Sequence, residues 1–283
     1  MHKYIKVFAL VGAGLFIQGC EQQVESIAVM APDEDASGKL ESVIAGDHRA
    51  PENRERDKYR HPLETLNFFS VTPDAMVVEI WPGSGWYTEI LAPYLRDDGR
   101  YIAAGFDPES EIEFIRMAAG RYQAKLDANP ELYDQVETAV LMPPDKLDFV
   151  EPESVDVILT FRSLHNWMPR ASQDMMLGAM YRALKPGGVL GVVEHRGNPA
   201  IPQNPEANTG YVNQDYAVEM IEKAGFVLNG SAEINANPAD SKDHPEGVWT
   251  LPPTLRLKED RRDEWLAIGE SDRFTLRFIK PEA

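Results

Sequence analysis

From about residue 61 the chain alternates short apolar runs with longer amphipathic stretches, and that alternation leaves few folds open. Residues 76–80, 101–106, 155–161 and 189–193 read as strands, with a weaker one around 136–141. Residues 86–95, 112–126 and 172–184 carry helical spacing, and 213–224 forms a further helix with Gly225 at its end. Residues 226–228 and 274–279 read as the last two strands. Such alternation predicts an α/β, doubly wound and mostly parallel sheet of seven strands. No internal repeat interrupts it.

Composition excludes several roles. The 283 residues include 28 Lys+Arg against 46 Asp+Glu, a formal net charge of -18. Phosphate backbones need a basic surface, so nucleic acid is excluded as a partner. Docking on anionic lipid through protein charge is excluded for the same reason. With 43% hydrophobic residues, the chain has enough apolar side chains to build a real core. A single cysteine rules out an intramolecular disulfide framework and any cysteine-cluster metal site. The charged run 49–60 reads as a solvated helical face.

The position of that cysteine matters more than its count. His2, Lys3 and Lys6 precede an apolar stretch over 7–17, which ends at Ile17-Gln18-Gly19-Cys20. The stretch is too short for a stable membrane span but suits the core of a signal peptide. Its end resembles a bacterial lipobox, which implies cleavage before Cys20 and lipidation of its thiol. The competing reading is a buried N-terminal helix with a coincidental cysteine. The expected organisation is a signal peptide over 1–19, a flexible acidic tether over 20–38 and one domain over 39–283. That places the domain in the bacterial cell envelope as a periplasm-facing lipoprotein, held to the membrane by its N-terminal lipid anchor only.

The run Val77-Val78-Glu79-Ile80-Trp81-Pro82-Gly83-Ser84-Gly85-Trp86-Tyr87-Thr88 is the most informative. A strand enters a glycine turn that opens into a helix, so backbone can approach a ligand closely. Trp86 and Tyr87 occupy the place of the third glycine that a dinucleotide fingerprint needs, which argues against NAD or FAD. This run resembles the first motif of class I S-adenosylmethionine-dependent methyltransferases. Leu184-Lys185-Pro186-Gly187-Gly188-Val189-Leu190 is similar to the turn before their fifth strand, and Ser154-Val155-Asp156-Val157-Ile158-Leu159 to their fourth. Residues 273–280 are similar to their closing antiparallel strand. The resemblance spans about residue 60 to the C-terminus. It implies a Rossmann-like methyltransferase fold with S-adenosyl-L-methionine as cofactor. Carried over position by position, Gly83, Ser84 and Gly85 would contact the methionine part and Glu79 would orient their turn. There are departures. Trp81 stands where the family has Gly. Gly105 stands where an acid binds the ribose hydroxyls, leaving Asp107 as the nearest substitute. The adenine loop reads Pro143-Pro144-Asp145, with Asp145 as a displaced acceptor. The alternative for both aspartates is an ordinary turn residue.

The catalytic side is implied by the segments after the fourth and fifth strands. Phe161-Arg162-Ser163-Leu164-His165-Asn166-Trp167 and Glu194-His195-Arg196 would face one cleft. His165 and His195, with ordinary pKa values of about 6.5, are candidate bases or else orient loops through hydrogen bonds. Arg162 and Arg196 would hold an anionic substrate or pair with the many carboxylates. Residues 233–272 form a long insertion before the last strand, expected to be a lid or else a dimer contact. The leading function is methyl transfer to a small molecule. The alternatives are a binding lipoprotein that kept the fold and lost catalysis, and metal capture by His61, His165, His195 and His244. No metal ligand set is assigned under the leading reading.

Overall fold

The computed structural model describes residues 34–282. Cys20, the expected signal peptide over 1–19 and the expected tether up to residue 33 lie outside the described residues. The chain opens with four helices: α1 (Glu34–Ile44), α2 (Pro51–Arg54), α3 (Asp57–Arg60) and α4 (Pro62–Phe68). Strands and helices then alternate as β1 (Met76–Ile80), α5 (Thr88–Leu95), β2 (Arg100–Gly105), α6 (Glu113–Ala128), α7 (Pro130–Tyr133) and β3 (Glu137–Val140). The second half runs β4 (Val155–Phe161), α8 (Leu164–Trp167), α9 (Gln173–Ala183), β5 (Leu184–His195), α10 (Gln214–Lys223), β6 (Val227–Ala232), α11 (Arg262–Ile268) and β7 (Arg273–Ile279). Among the described residues no helix is long and apolar enough to cross a membrane.

The sheet has the order β3-β2-β1-β4-β5-β7-β6. Six strands run the same way, and β7 is antiparallel to both its neighbours. The α/β expectation of a mostly parallel seven-stranded sheet with an antiparallel last strand therefore holds. Successive strand residues point to opposite faces, and the core follows that period. Val78, Ile102, Ile158 and Leu190 join α9 and α10 on one face. Val77, Tyr101, Val157 and Val189 join α4, α5 and α6 on the other. Helices on both faces are why the strands read as continuous apolar runs.

Three details differ from expectation. Helix α1 begins at Glu34, inside the stretch assigned to a tether, because Leu40 is fully buried against the domain and Lys39 pairs with Asp97. The 49–60 run is not wholly a solvated face. Arg49 and Arg60 are buried, and both guanidiniums stack on the Trp86 ring, at 5.1 and 4.7 Å from its centroid. Arg49 also forms a two-bond fork to Asp57, at 2.6 and 2.8 Å. Helix α5 starts at Thr88 rather than residue 86, since Trp86 and Tyr87 belong to the buried turn before it.

Gly191, in the middle of β5, is required by packing. A Cβ there would lie 2.6 Å from the Phe69 ring. Gly191→Ala should lower stability by about 1–3 kcal/mol through overpacking, read as a lower urea midpoint. An unchanged midpoint would mean the Phe69 ring moves aside without cost.

Candidate functional site

Strand order reverses between β1 and β4, so their carboxyl ends leave a crevice uncovered by any crossover. A cavity of about 510 Å³ opens there. The turn after β1 supplies Trp81, Pro82, Gly83 and Ser84, and the ends of β4 and β5 supply Arg162, His165 and His195. The insertion between β6 and β7 adds Val248, Trp249, Pro252, Pro253, Thr254 and Glu270 to the lining. A second cavity of about 340 Å³ shares Trp81, Pro82, Gly83 and Phe106 with the first and extends along Gly105 and α6.

The glycine turn has the geometry that the sequence pattern implies. Gly83 and Gly85 have φ of 63° and 76°, the left-handed region that glycine adopts freely. A Cβ on Gly83 would meet nothing within 4 Å, so the turn faces open space there. Gly85 faces inward instead, against the Lys125 side chain. Trp81 takes φ of 51°, the conformation that a glycine would take at less cost. Its indole donates to the Leu141 carbonyl at 2.9 Å and its ring packs on Phe106 and Trp167.

Glu79 is buried below the turn and accepts a 2.6 Å hydrogen bond from the Tyr101 hydroxyl. Thr88 links that hydroxyl to Tyr122, with both contacts at 3.0 Å. Burial pushes the Glu79 carboxyl up to about 7, although Tyr101, Arg162 and Arg60 all favour its anion.

His165 and His195 lie together, with ring centroids 5.3 Å apart. Between them Glu194, fully buried, accepts three N–H groups. His165 Nδ1 stands 3.0 Å from Oε1, the His195 amide donates to the same oxygen at 2.8 Å, and the His165 amide donates to Oε2 at 3.3 Å. A carboxylate at Nδ1 holds the ring proton there and leaves Nε2 of His165 as the acceptor. His195 Nδ1 contacts the Ser271 hydroxyl. Burial, reinforced by His165, Arg273, Arg162 and Arg60, holds His195 well below the ordinary imidazole value. The three residues could also present ligand atoms to a metal ion, all within 4.8 Å of one another. His61 and His244 do not join them, and His244 is bound to Asp240 at 2.8 Å. Glu194 already satisfies three donors, which favours orienting the imidazoles over binding a cation.

A family model described as "Methyltransferase domain" matches residues 78–192. That match covers under half of the chain, so it makes this stretch similar to a methyltransferase domain. The match runs from inside β1 to inside β5 and so contains the glycine turn, Arg162 and His165. Among solved structures the fold is similar to a SAM-dependent methyltransferase from Aquifex aeolicus, at 14% identity and TM-score 0.53, covering 86% of this chain and 98% of that one. It is also similar to the [4+2]-cyclase SpnF, at 15% identity and TM-score 0.53, over 88% and 94% of the two chains. A third is the geranyl diphosphate C-methyltransferase from Streptomyces coelicolor A3(2), solved with Mg2+, geranyl diphosphate and S-adenosyl-L-homocysteine, at 15% identity and TM-score 0.52 over 88% of each chain. No curated protein matches the chain in sequence.

Not every expected site residue meets at the cavities. Glu79, Gly83, Ser84, His165 and His195 line the first. Asp107 lines neither, because Lys146 takes its carboxylate at 2.7 Å and the Glu109 amide at 3.0 Å. These bonds, Lys146 foremost, hold its carboxyl below the ordinary value. Asp145 is exposed in the turn closed by Met142 and Lys146 and also lines neither. Arg196 pairs with Glu233 at 2.6 Å and is not in the first cavity. Sequence reasoning missed Glu194 as the link between the histidines, along with Arg56, Arg60, Glu270 and Arg273. Their signal, charged residues inside strongly apolar or well-folded stretches, is visible only for Glu194 and Arg273.

The raised Glu79 carboxyl makes a pH prediction. The folded chain holds this proton more tightly than the unfolded one, whose carboxyl titrates near 4.5. Its stabilising effect is therefore complete below pH 4.5 and is lost as pH rises towards 7. Glu79→Gln should gain on wild type by about 3 kcal/mol between mildly acidic and mildly basic solution, measured by denaturant unfolding at both pH values. Parallel pH profiles would show that Glu79 is ionised in the fold throughout.

Proposed function

We propose that this domain transfers a methyl group from S-adenosylmethionine to a small molecule bound in the first cavity. One observation carries the reading: the open Gly83 turn and the carboxylate-oriented His165 face the same cavity. The turn fits the methionine end of the cofactor, since its backbone borders open space where a side chain would stand. The second cavity fits a flat adenine, with Ala103, Gly105, Ala118, Ala119 and Val140 in its lining. When bound, S-adenosylmethionine supplies a methyl group on a sulfonium, an electrophile that needs no further activation.

The chain's own residues then position and deprotonate. Gly83 and Ser84 would hold the cofactor, and Glu79 orients their turn from below. Methyl transfer is an in-line displacement, so holding the acceptor in register contributes most of the rate. His165 Nε2 takes a proton from an oxygen or nitrogen acceptor, while Glu194 keeps the Nδ1 proton in place and steadies the imidazolium that forms. His195 stays neutral beside it, so it does not repel that charge. Trp249, Pro252 and Pro253 would cover the bound pair and exclude water. The reading of a chain that lost catalysis finds no support here: the turn is open and His165 is oriented.

We also propose that Cys20 carries lipid and that the domain faces the cell envelope. Its support is the order of basic start, apolar core and Gly19-Cys20. Palmitate labelling should be lost in Cys20→Ala; equal labelling of the two proteins would overturn this.

The methyltransferase reading is tested by calorimetry with S-adenosylhomocysteine. Binding should be seen for wild type and weakened roughly tenfold or more in Gly83→Val, whose side chain fills the open side of the turn. No heat at millimolar ligand would overturn the assignment.

A further inference from the structure

Four arginines converge on one side of the first cavity. Arg56, Arg60, Arg162 and Arg273 all line it, with Glu270 as the carboxylate among them. Glu270 is buried and receives Arg56 Nε at 2.6 Å, Arg60 Nε at 3.1 Å and Arg273 Nη2. Its burial opposes ionisation, but Arg273, Arg60 and Arg56 outweigh it and hold the carboxyl far below the ordinary range. Glu79, which Arg162 and Arg60 also face, lines the same cavity, and two carboxylates still leave four guanidiniums with an excess of positive charge.

Among the described residues three groups are left without partners, one of them the buried Arg273 Nε. Arg56 Nη2 is buried with no hydrogen bond among the described residues. The Arg162 guanidinium has no hydrogen bond or ion pair to any described residue, although it follows β4 directly and lines the cavity. Burial, with Arg273 beside it, pushes Arg162 down to about 10. A chain of net charge -18 has carboxylates to spare. Elsewhere it uses them, as in Arg100 with Glu137, Arg49 with Asp57 and Arg196 with Glu233. Among the described residues Arg277, outside the cavity, also has no ion pair, but only at the cavity do several such guanidiniums share one space. The cluster also adjoins the histidines: Arg273 is the register partner of His195 across β5 and β7, and Arg162 precedes His165 in the segment that leaves β4.

We infer that Arg56, Arg60, Arg162 and Arg273 form an oxyanion subsite for the methyl acceptor, which is a small molecule bearing a phosphate or more than one carboxylate. This deepens the methyl-transfer reading and rests on it. The cofactor cannot satisfy the cluster by itself. Its single carboxylate is outnumbered by its own ammonium and sulfonium, so it brings net positive charge. Guanidinium forks match the paired oxygens of phosphate and carboxylate groups. An anionic end anchored at Arg162 presents the remainder of the acceptor to His165, which sets the direction of substrate in the cavity.

The test uses the full-length protein with inorganic phosphate and pyrophosphate, titrated by calorimetry without cofactor. Wild type should bind pyrophosphate at one site. Arg162→Gln should weaken that binding about tenfold to a hundredfold, the loss expected for a charge-assisted fork. Arg56→Gln reports the same loss should Arg162→Gln fail to fold, and Arg261→Gln, paired with Glu264 on the surface, should bind as wild type. S-adenosylhomocysteine affinity should be unchanged in Arg162→Gln. Wild type that binds S-adenosylhomocysteine but neither phosphate nor pyrophosphate would overturn the subsite and leave methyl transfer standing. Loss of S-adenosylhomocysteine affinity in Arg162→Gln would overturn it too, by giving the cluster to the cofactor's carboxylate. Pyrophosphate binding without S-adenosylhomocysteine binding would uphold the subsite and overturn the cofactor instead.

Discussion

Glu270 holds the site together. Three arginines from distant parts of the chain reach this one buried carboxylate: Arg56 and Arg60 from the opening helices, and Arg273 from the start of β7. Each guanidinium alone would be expensive to bury, and so would the carboxylate. Together they fix the first helices over the carboxyl ends of the strands, where the order of the sheet reverses. The Trp86 ring, lying against both Arg49 and Arg60, ties the same helices to the turn after β1. The cavity thus has a rigid charged wall whose position follows from ion pairing and a mouth whose position follows from topology.

That wall gives the two ends of the cavity opposite characters. Towards β2 and α6 the lining is small and apolar, with Ala103, Gly105, Ala118 and Ala119. Towards β4 and β7 it is cationic. The fold alone does not choose a reaction, since a [4+2]-cyclase and a methyltransferase both share it. What narrows the choice is this polarity together with the Glu194-oriented histidine between the two ends. On the proposed reading, the fixed positive charge of the arginines would lower the energy of a substrate that is losing its proton, and would oppose the imidazolium that forms beside it.

The fold was legible because its information is local. Apolar runs and glycine turns mark β1 to β5 directly, and the expected bounds of β4 match those observed. The glycine turn was legible for the same reason, being contiguous from Glu79 to Gly85. The site was less so, because its pairings join residues far apart in sequence. Glu194 and His165 are separated by 29 positions, and Glu270 and Arg60 by 210. Only the parallel neighbours β4 and β5, and the placement of β7 between β5 and β6, bring them into contact. The charged run 49–60 misled because a stretch of mixed charge is normally solvated. Nothing local shows that Trp86 will cover two of its arginines. Asp107 misled in the opposite way: its sequence position suits a ribose ligand, but Lys146 from the loop after β3 claims it first.

The departures from the family pattern find a common explanation in that loss. With Gly105 at the end of β2 and Asp107 engaged, no described carboxylate lines the second cavity to receive ribose hydroxyls. Hydrogen bonds to a charged acceptor are worth about 1.5–3 kcal/mol, so on the proposed reading donor binding would draw on other contacts, and Trp81 is placed to supply them. Its left-handed backbone preserves the turn, while its ring lies along Phe106 and borders both cavities. An aromatic face buries flat, apolar surface and offers cation–π attraction to a positive ligand. On the proposed reading, aromatic packing near the turn would stand in for a polar grip on the sugar. On the same reading, specificity for the donor would come from shape and charge near Trp81, and specificity for the acceptor from the arginines across the cavity.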